Sequence, residues 1–199
     1  MVHNWKLASA GTLLFLAVTA LVLYACTREP NTPTFQLANG VQVTSIEVKP
    51  DDTLALLDAK IWKYDVTLPD TTKMYDYTLN LCRNGKIIAP LGGVGSGPAP
   101  GESLPRHIQV TVGVAPMDDT FSKAKRVRYS IRVYGAGSKG TFSNPFGDGV
   151  TTYSEMLESS PPDNLIYLMS GNKGNANALP AASAVAIALK IEPSSNLSR

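Results

Sequence analysis

Apolar residues recur at every second position through most of this chain. Trp62, Tyr64, Val66 and Leu68 alternate with Lys63, Asp65 and Thr67. That is the period of a strand with one face in a core and the other toward water. Tyr75, Tyr77, Leu79 and Leu81 alternate with Asp76, Thr78, Asn80 and Cys82 in the same way. Val110, Val112 and Val114 form a third such stretch, and Val127, Tyr129, Ile131 and Val133 a fourth. Val41 and Val43 give way to Ile46 and Val48, a change of phase that predicts a bulge near Thr44-Ser45. At Asn84-Gly85 both residues tolerate positive φ, which predicts a two-residue turn reversing the chain into a strand over Lys86 to Ala89. Two further runs are Leu165 to Met169 and Val185 to Ile191. In the second, Val185, Ile187, Leu189 and Ile191 share one face, while Ala186 and Ala188 are small, which predicts a strand covered on both faces. Leu54 to Leu57 fits either a strand or a short helical turn. The glycine-rich stretches Gly92 to Pro105 and Gly135 to Gly149 read as loops.

Seven or eight short strands separated by turn signals predict an all-β fold. The architecture expected is an antiparallel two-layer β-sandwich, Ig-like or jelly-roll. No internal repeat is visible, and no helical period runs beyond about two turns outside the N-terminus.

The N-terminus departs from this pattern. Leu7 to Ala25 contains no charge, and its 19 residues can cross a hydrocarbon layer of roughly 30 Å as a helix. Lys6 stands just before the run and Arg28 just after it, and Lys6 with the amino terminus favours a cytoplasmic start. Leu23-Tyr24-Ala25-Cys26 resembles the lipobox of bacterial lipoproteins. The resemblance implies cleavage before Cys26 and a thioether lipid on its sulfur. Three outcomes stay open: a lipid anchor at Cys26, an uncleaved transmembrane anchor, or cleavage and release. Leu23 and Tyr24 disfavour the last, because a simple cleavage site needs small residues. The organisation expected is a signal or anchor over 1–26 and a linker over 27–39 carrying Pro30 and Pro33. A sandwich domain over 40–192 and a tail over 193–199 complete it. The expected location is the cell envelope, with the domain outside the cytoplasm, periplasmic or at the cell surface.

Charge and reactive residues narrow the function. A net charge of +2 on 199 residues gives no ground for a nucleic-acid partner. The two cysteines, Cys26 and Cys82, cannot build a disulfide scaffold or a cysteine zinc site. Cys82 is expected to be a buried, inert thiol. His107 lies beyond the anchor with no second histidine near it in sequence, too few ligands for a zinc site and no recognisable nucleophile for a triad. Asp51-Asp52 and Asp118-Asp119 look like turn formers, because neighbours on a strand face opposite ways. Glu155 and Glu158 add a third carboxylate pair. The Gly92 to Gly101 loop fails as a phosphate cradle, since Pro98 and Pro100 remove donors and a strand follows. Phe142 to Asp148 and Asp163-Asn164 lack the spacing of a calcium loop and read as turns. No catalytic residue, metal or cofactor is expected.

One strand stands out. In Lys123 to Arg132, with Val127, Tyr129 and Ile131 facing the core, Arg126, Arg128 and Arg132 share the opposite face. These three arginines span roughly 20 Å at about 3.4 Å per residue, Lys123 and Lys125 extend the stripe, and Tyr134 follows in phase. Arginine presents a planar fork suited to phosphates and carboxylates. The competing explanation is a solvated face neutralised by acidic residues on neighbouring strands. The function expected is a membrane-tethered binding protein. Its partner would be an anionic envelope surface, lipid headgroup, glycan or envelope protein. A structural subunit of an envelope assembly, or a hydrolase acting on glycans through carboxylates, are the alternatives.

Overall fold

The computed structural model divides the chain into two compact units, Met1–Thr32 and Pro33–Arg199. The structure describes residues 34–48, 58–118, 120–121, 123–146, 151–152, 164–171 and 185–195, all in the second unit. The apolar run, Cys26 and Leu54 to Leu57 lie outside the described residues.

The described residues form eleven strands: β1 (Thr34–Gln36), β2 (Gln42–Ile46), β3 (Lys60–Thr67), β4 (Tyr75–Arg83), β5 (Lys86–Ser96) and β6 (His107–Pro116). They continue as β7 (Arg126–Val133), β8 (Ala136–Ser143), β9 (Thr151–Thr152), β10 (Leu165–Ser170) and β11 (Val185–Pro193). The described residues contain no helix. One sheet has the order β1-β2-β3-β6-β7-β8 and the other β5-β4-β11-β10-β9. Every pairing is antiparallel. Each alternating stretch supplies its apolar set to a shared core. Trp62, Tyr64 and Val66 from β3 meet Tyr75, Tyr77 and Leu79 from β4 and Ile187, Leu189 and Ile191 from β11. The fold is therefore all-β, two antiparallel sheets packed sandwich-like on one core. The outer face of the five-stranded sheet buries a second cluster of Cys82, Leu165, Ala186 and Ala188. Strand β11 is thus covered on both faces, as its small residues predicted, and Cys82 is fully buried.

Connections alternate between two ends of the domain. At one, the crossover end, the β3–β4 and β5–β6 crossovers hold each other. Leu68 N donates to Arg106 O at 2.9 Å, and Leu104 N to Thr71 O at 2.8 Å. Asn39 ties the β1–β2 turn to the other sheet there, its side-chain amide donating to Ile191 O at 2.7 Å. At the opposite, hairpin end lie the β4–β5 turn, the β6–β7 connection and the entry to β1. Asn84 at φ 55° and Gly85 at φ 73° close the two-residue turn read from the sequence.

Several boundaries differ from the sequence reading. β1 occupies residues assigned to the linker, and its Phe35 and the following Leu37 are buried. β2 pairs in unbroken register from Gln42↔Thr67 to Ile46↔Lys63, so the bulge near Thr44-Ser45 is absent and Ile46 belongs to the outer face. Bulges fall in β5 instead, where Leu91 and Ile88 have no partner in the β4 register. β5 runs on through Gly92, Gly93 and Gly95, residues read as loop, and Pro90 is accommodated because β5 is an edge strand. The second loop likewise contains a strand, β8, which returns from β7 through Tyr134-Gly135, with Gly135 at φ 67°. In β4 the burial also changes phase: Asn80 and Cys82 are buried and Leu81 half-buried, because the second cluster covers that face.

The Tyr77 hydroxyl is buried without a hydrogen-bond partner among the described residues. A buried hydroxyl left unsatisfied costs about 1–3 kcal/mol. Tyr77→Phe is expected to raise the urea midpoint by an amount equivalent to about 1 kcal/mol, and a lowered midpoint would show that the hydroxyl is satisfied after all.

Candidate functional site

The register of the six-stranded sheet decides what surrounds the arginines. Val127, Tyr129, Ile131 and Val133 are buried, and Arg126, Arg128 and Arg132 stand exposed on the outer face. Lys123 and Lys125 are exposed at the entry to β7, on a turn pinned by Lys123 N and Ala124 N donating to Thr120 O at 3.0 and 2.9 Å. Tyr134 is 60% exposed, but it sits in the β7–β8 turn at the crossover end. The predicted set is therefore a ladder of three arginines with two lysines at its foot and a tyrosine at its head.

Opposite Arg126 lies Ser143, and Arg128 lies between Ala115 and Thr141. Arg132 lies between Thr111 and Gly137. None of these neighbours is acidic. The Arg126 guanidinium donates to the Thr141 hydroxyl. The ion pairs among the described residues are Lys60–Asp58, Lys73–Asp70 and Lys190–Glu192, Asp65 contacts His107, and none of these takes a β7 arginine. The neutralised-face explanation thus finds no acidic partners among the described residues.

Two more cations join the face. Lys139 on β8 stands opposite Ser130. Lys63 on β3 stands opposite Thr111, whose other neighbour is Arg132. Lys63 already read as outward-facing, whereas Lys139 fell in a stretch read as loop. Five cations, Lys63, Arg126, Arg128, Arg132 and Lys139, therefore share a face whose described strands carry one carboxylate, Asp65. Two of them, Arg128 and Lys139, line an open groove of about 440 Å³, which Lys60 also lines. Gly113, Ala115 and Ser130 make its floor, with Ile61 on one side and Arg128 and Lys139 on the other. A Cβ at Gly113 would lie 3.0 Å from Ser130 Oγ, so glycine keeps the floor low. A low, partly apolar floor beside these cations suits an anionic group carried on a compact body.

His107 stands exposed at the start of β6. Its Nδ1 lies 3.2 Å from Thr67 Oγ1 and 3.5 Å from Asp65 Oδ2. Acid and hydroxyl meet the same ring nitrogen, so the imidazole cannot relay a proton between them as a triad requires. Asn144 braces a turn: its amide donates to Phe121 O and Ala124 O at 2.6 and 2.8 Å, and its oxygen accepts from Phe146 N. Asn164, at φ 56°, accepts from Asn39 N. Both therefore act as turn residues. Asp51, Asp52, Asp119, Asp148, Glu155, Glu158 and Asp163 lie outside the described residues. Among the described residues no three His, Cys, Asp or Glu side chains cluster to hold a metal ion.

Compared with known protein families, with curated proteins and with solved structures, the chain matches none.

Proposed function

We propose that this chain is a non-enzymatic binding protein of the cell envelope, tethered by its N-terminal apolar run, whose basic outer sheet face holds an anionic glycan or other anionic envelope polymer. The architecture that goes with this reading is an Ig-like or jelly-roll sandwich outside the cytoplasm, behind an anchor in residues 7–25 that ends in a lipid on Cys26 or spans the bilayer. The observation that carries it is the set of five cations with no acidic cross-strand neighbour at the arginines. Like charges held together on a rigid face repel one another, and a polyanion relieves that repulsion. No aromatic side chain from the described strands stands beside them on that face, so recognition runs through charge more than through stacking on sugar rings.

Co-sedimentation of the unit Pro33–Arg199 with purified cell-wall sacculi, lipopolysaccharide and anionic liposomes tests the reading. Binding is expected to fall steeply between low and moderate salt, because exposed charges are screened over about 10 Å at 0.1 M. Arg128→Glu with Lys139→Glu is expected to weaken it by at least about 2 kcal/mol, roughly thirty-fold, at about 1 kcal/mol for each cation lost. Absence of binding to all three at low salt would leave a fixed protein partner in an envelope assembly, or a glycan hydrolase, in its place.

A further inference from the structure

Among the described residues, three of the five exposed large apolar side chains, Ile87, Ile88 and Met117, lie at the hairpin end, and Met74 and Tyr134 at the crossover end. Ile87 and Ile88 are 40% and 50% exposed, consecutive residues just past the β4–β5 turn. The register shift leaves Ile88 without a partner on β4. Met117, 47% exposed, follows β6 at the same end. Arg83 and Lys86 face each other directly across the two-residue turn, a like-charge pair that costs stability unless an anion lies between. No Asp or Glu occurs from Arg83 to Ser96. Lys123 and Lys125 are exposed on the β6–β7 connection at this end too. Its described carboxylates are Glu47, Asp118 and Asp58, the last already paired with Lys60. At the crossover end charges balance instead, with Lys73 on Asp70 and Lys190 on Glu192.

The chain also enters the domain here. Thr34 pairs with Thr44, two residues from the end of β2, so β1 starts at the hairpin end and runs away from it. Residues 26–33 separate Thr34 from the end of the apolar run at Ala25. Eight residues span at most about 30 Å fully extended. A tether at Ala25 or Cys26 would therefore join the domain at this end, through at most about 30 Å of chain.

We propose that the hairpin end rests on that membrane, with Ile87, Ile88 and Met117 entering the headgroup region and Arg83, Lys86, Lys123 and Lys125 meeting anionic lipid phosphates. The proposal rests on the tethered reading above. Apolar side chains flanked by cations are what an interfacial contact with an anionic leaflet requires. The strands then stand away from the bilayer, and the arginine ladder rises from it with Arg126 nearest and Arg132 farthest.

The full chain, with Trp5→Phe to remove the anchor-flanking indole, is reconstituted in phosphatidylcholine vesicles with and without phosphatidylglycerol. Flotation with the vesicles is scored first. Ile88→Trp and, as a control at the other end, Tyr134→Trp are then exposed to lipids brominated near the headgroup. The expected result is flotation of every variant and loss of at least half of the introduced indole's emission in Ile88→Trp, larger with phosphatidylglycerol. Tyr134→Trp is expected to keep its emission, and Arg83→Glu with Lys86→Glu to restore that of Ile88→Trp without changing flotation. Flotation with no quenching at Ile88→Trp, or with quenching at Tyr134→Trp instead, overturns this orientation and leaves the tether standing. Failure to float overturns both. Unquenched Ile88→Trp accompanied by concentration-dependent dimerisation in detergent assigns the patch to a second copy and overturns the proposal.

Discussion

Raising the pH above about 10 is expected to unfold this domain, with three buried tyrosines setting the threshold. Tyr64 on β3 and Tyr75 and Tyr77 on β4 all sit in the core between the sheets. Burial raises the phenol pKa of each, since an ionised ring would lose its hydration. Tyr77 is pushed further by Tyr75 beside it. The folded state therefore keeps three protons that the unfolded chain releases near the ordinary value of 10.0. The stability tied to these groups is whole below that pH and drains away as pH rises toward the folded values. Each contributes a slope of at most about 1.4 kcal/mol per pH unit, or about 4 kcal/mol per unit together. Against a typical total of about 5–15 kcal/mol, one to a few units above 10 suffices to unfold the domain. Loss of the β-sheet circular dichroism signal should coincide with a step of tyrosinate absorbance. Tyr64→Phe and Tyr77→Phe should each move that step to higher pH. Titration of all eight tyrosines near 10 with the sheets intact would sink the argument.

Much of the scaffold was legible because its information is local. Alternation marked β3, β4, β6, β7 and β11, an apolar run marked β10, and the Asn84-Gly85 turn formed as its φ preferences demand. The same period placed Arg126, Arg128 and Arg132 on an outer face. What was not legible depends on partners distant in sequence. The second half of β5 and all of β8 are rich in Gly and Ser, which carry little strand signal of their own, and they become strands because β4 and β7 offer edges to pair with. The acidic neighbours that would have neutralised the arginines could be sought only once the register was known, and Thr111, Ala115, Thr141 and Ser143 stand in those places. Lys139 was missed with β8, and Lys63 joins Arg132 only because β6 lies between β3 and β7. The hairpin end is still less local: Thr34, Ile88 and Lys123 fall at one end of the domain through the strand directions of both sheets.

The glycines of β5 lead to the second large effect. Gly92→Val is expected to destabilise the domain by about 3 kcal/mol or more, and Tyr129 to be the reason. Tyr129 points inward from β7, and a Cβ at Gly92 would overlap its hydroxyl. The ring cannot retreat, because a Cβ at Gly140 on β8 would already lie 2.8 Å from its Cε1, and Phe142 stands with its ring centroid 6.3 Å away. Two glycines on two strands thus form the slot for one tyrosine, at the side where β5 passes over β7 and β8. The slot makes a coupling that urea denaturation can read. Tyr129→Ala by itself should cost about 3–5 kcal/mol, as other large aromatic truncations do. In that background Gly92→Val should cost little, because the branched side chain fills space the ring has left and suits a strand. The double-mutant cycle should then show about 2 kcal/mol or more of coupling. Additive losses would mean that the glycine answers to something other than the ring. A coupled result would explain why a stretch as glycine-rich as Leu91 to Ser96 is a strand at all: the bulk missing from its own side chains is supplied from the opposite sheet by Tyr129.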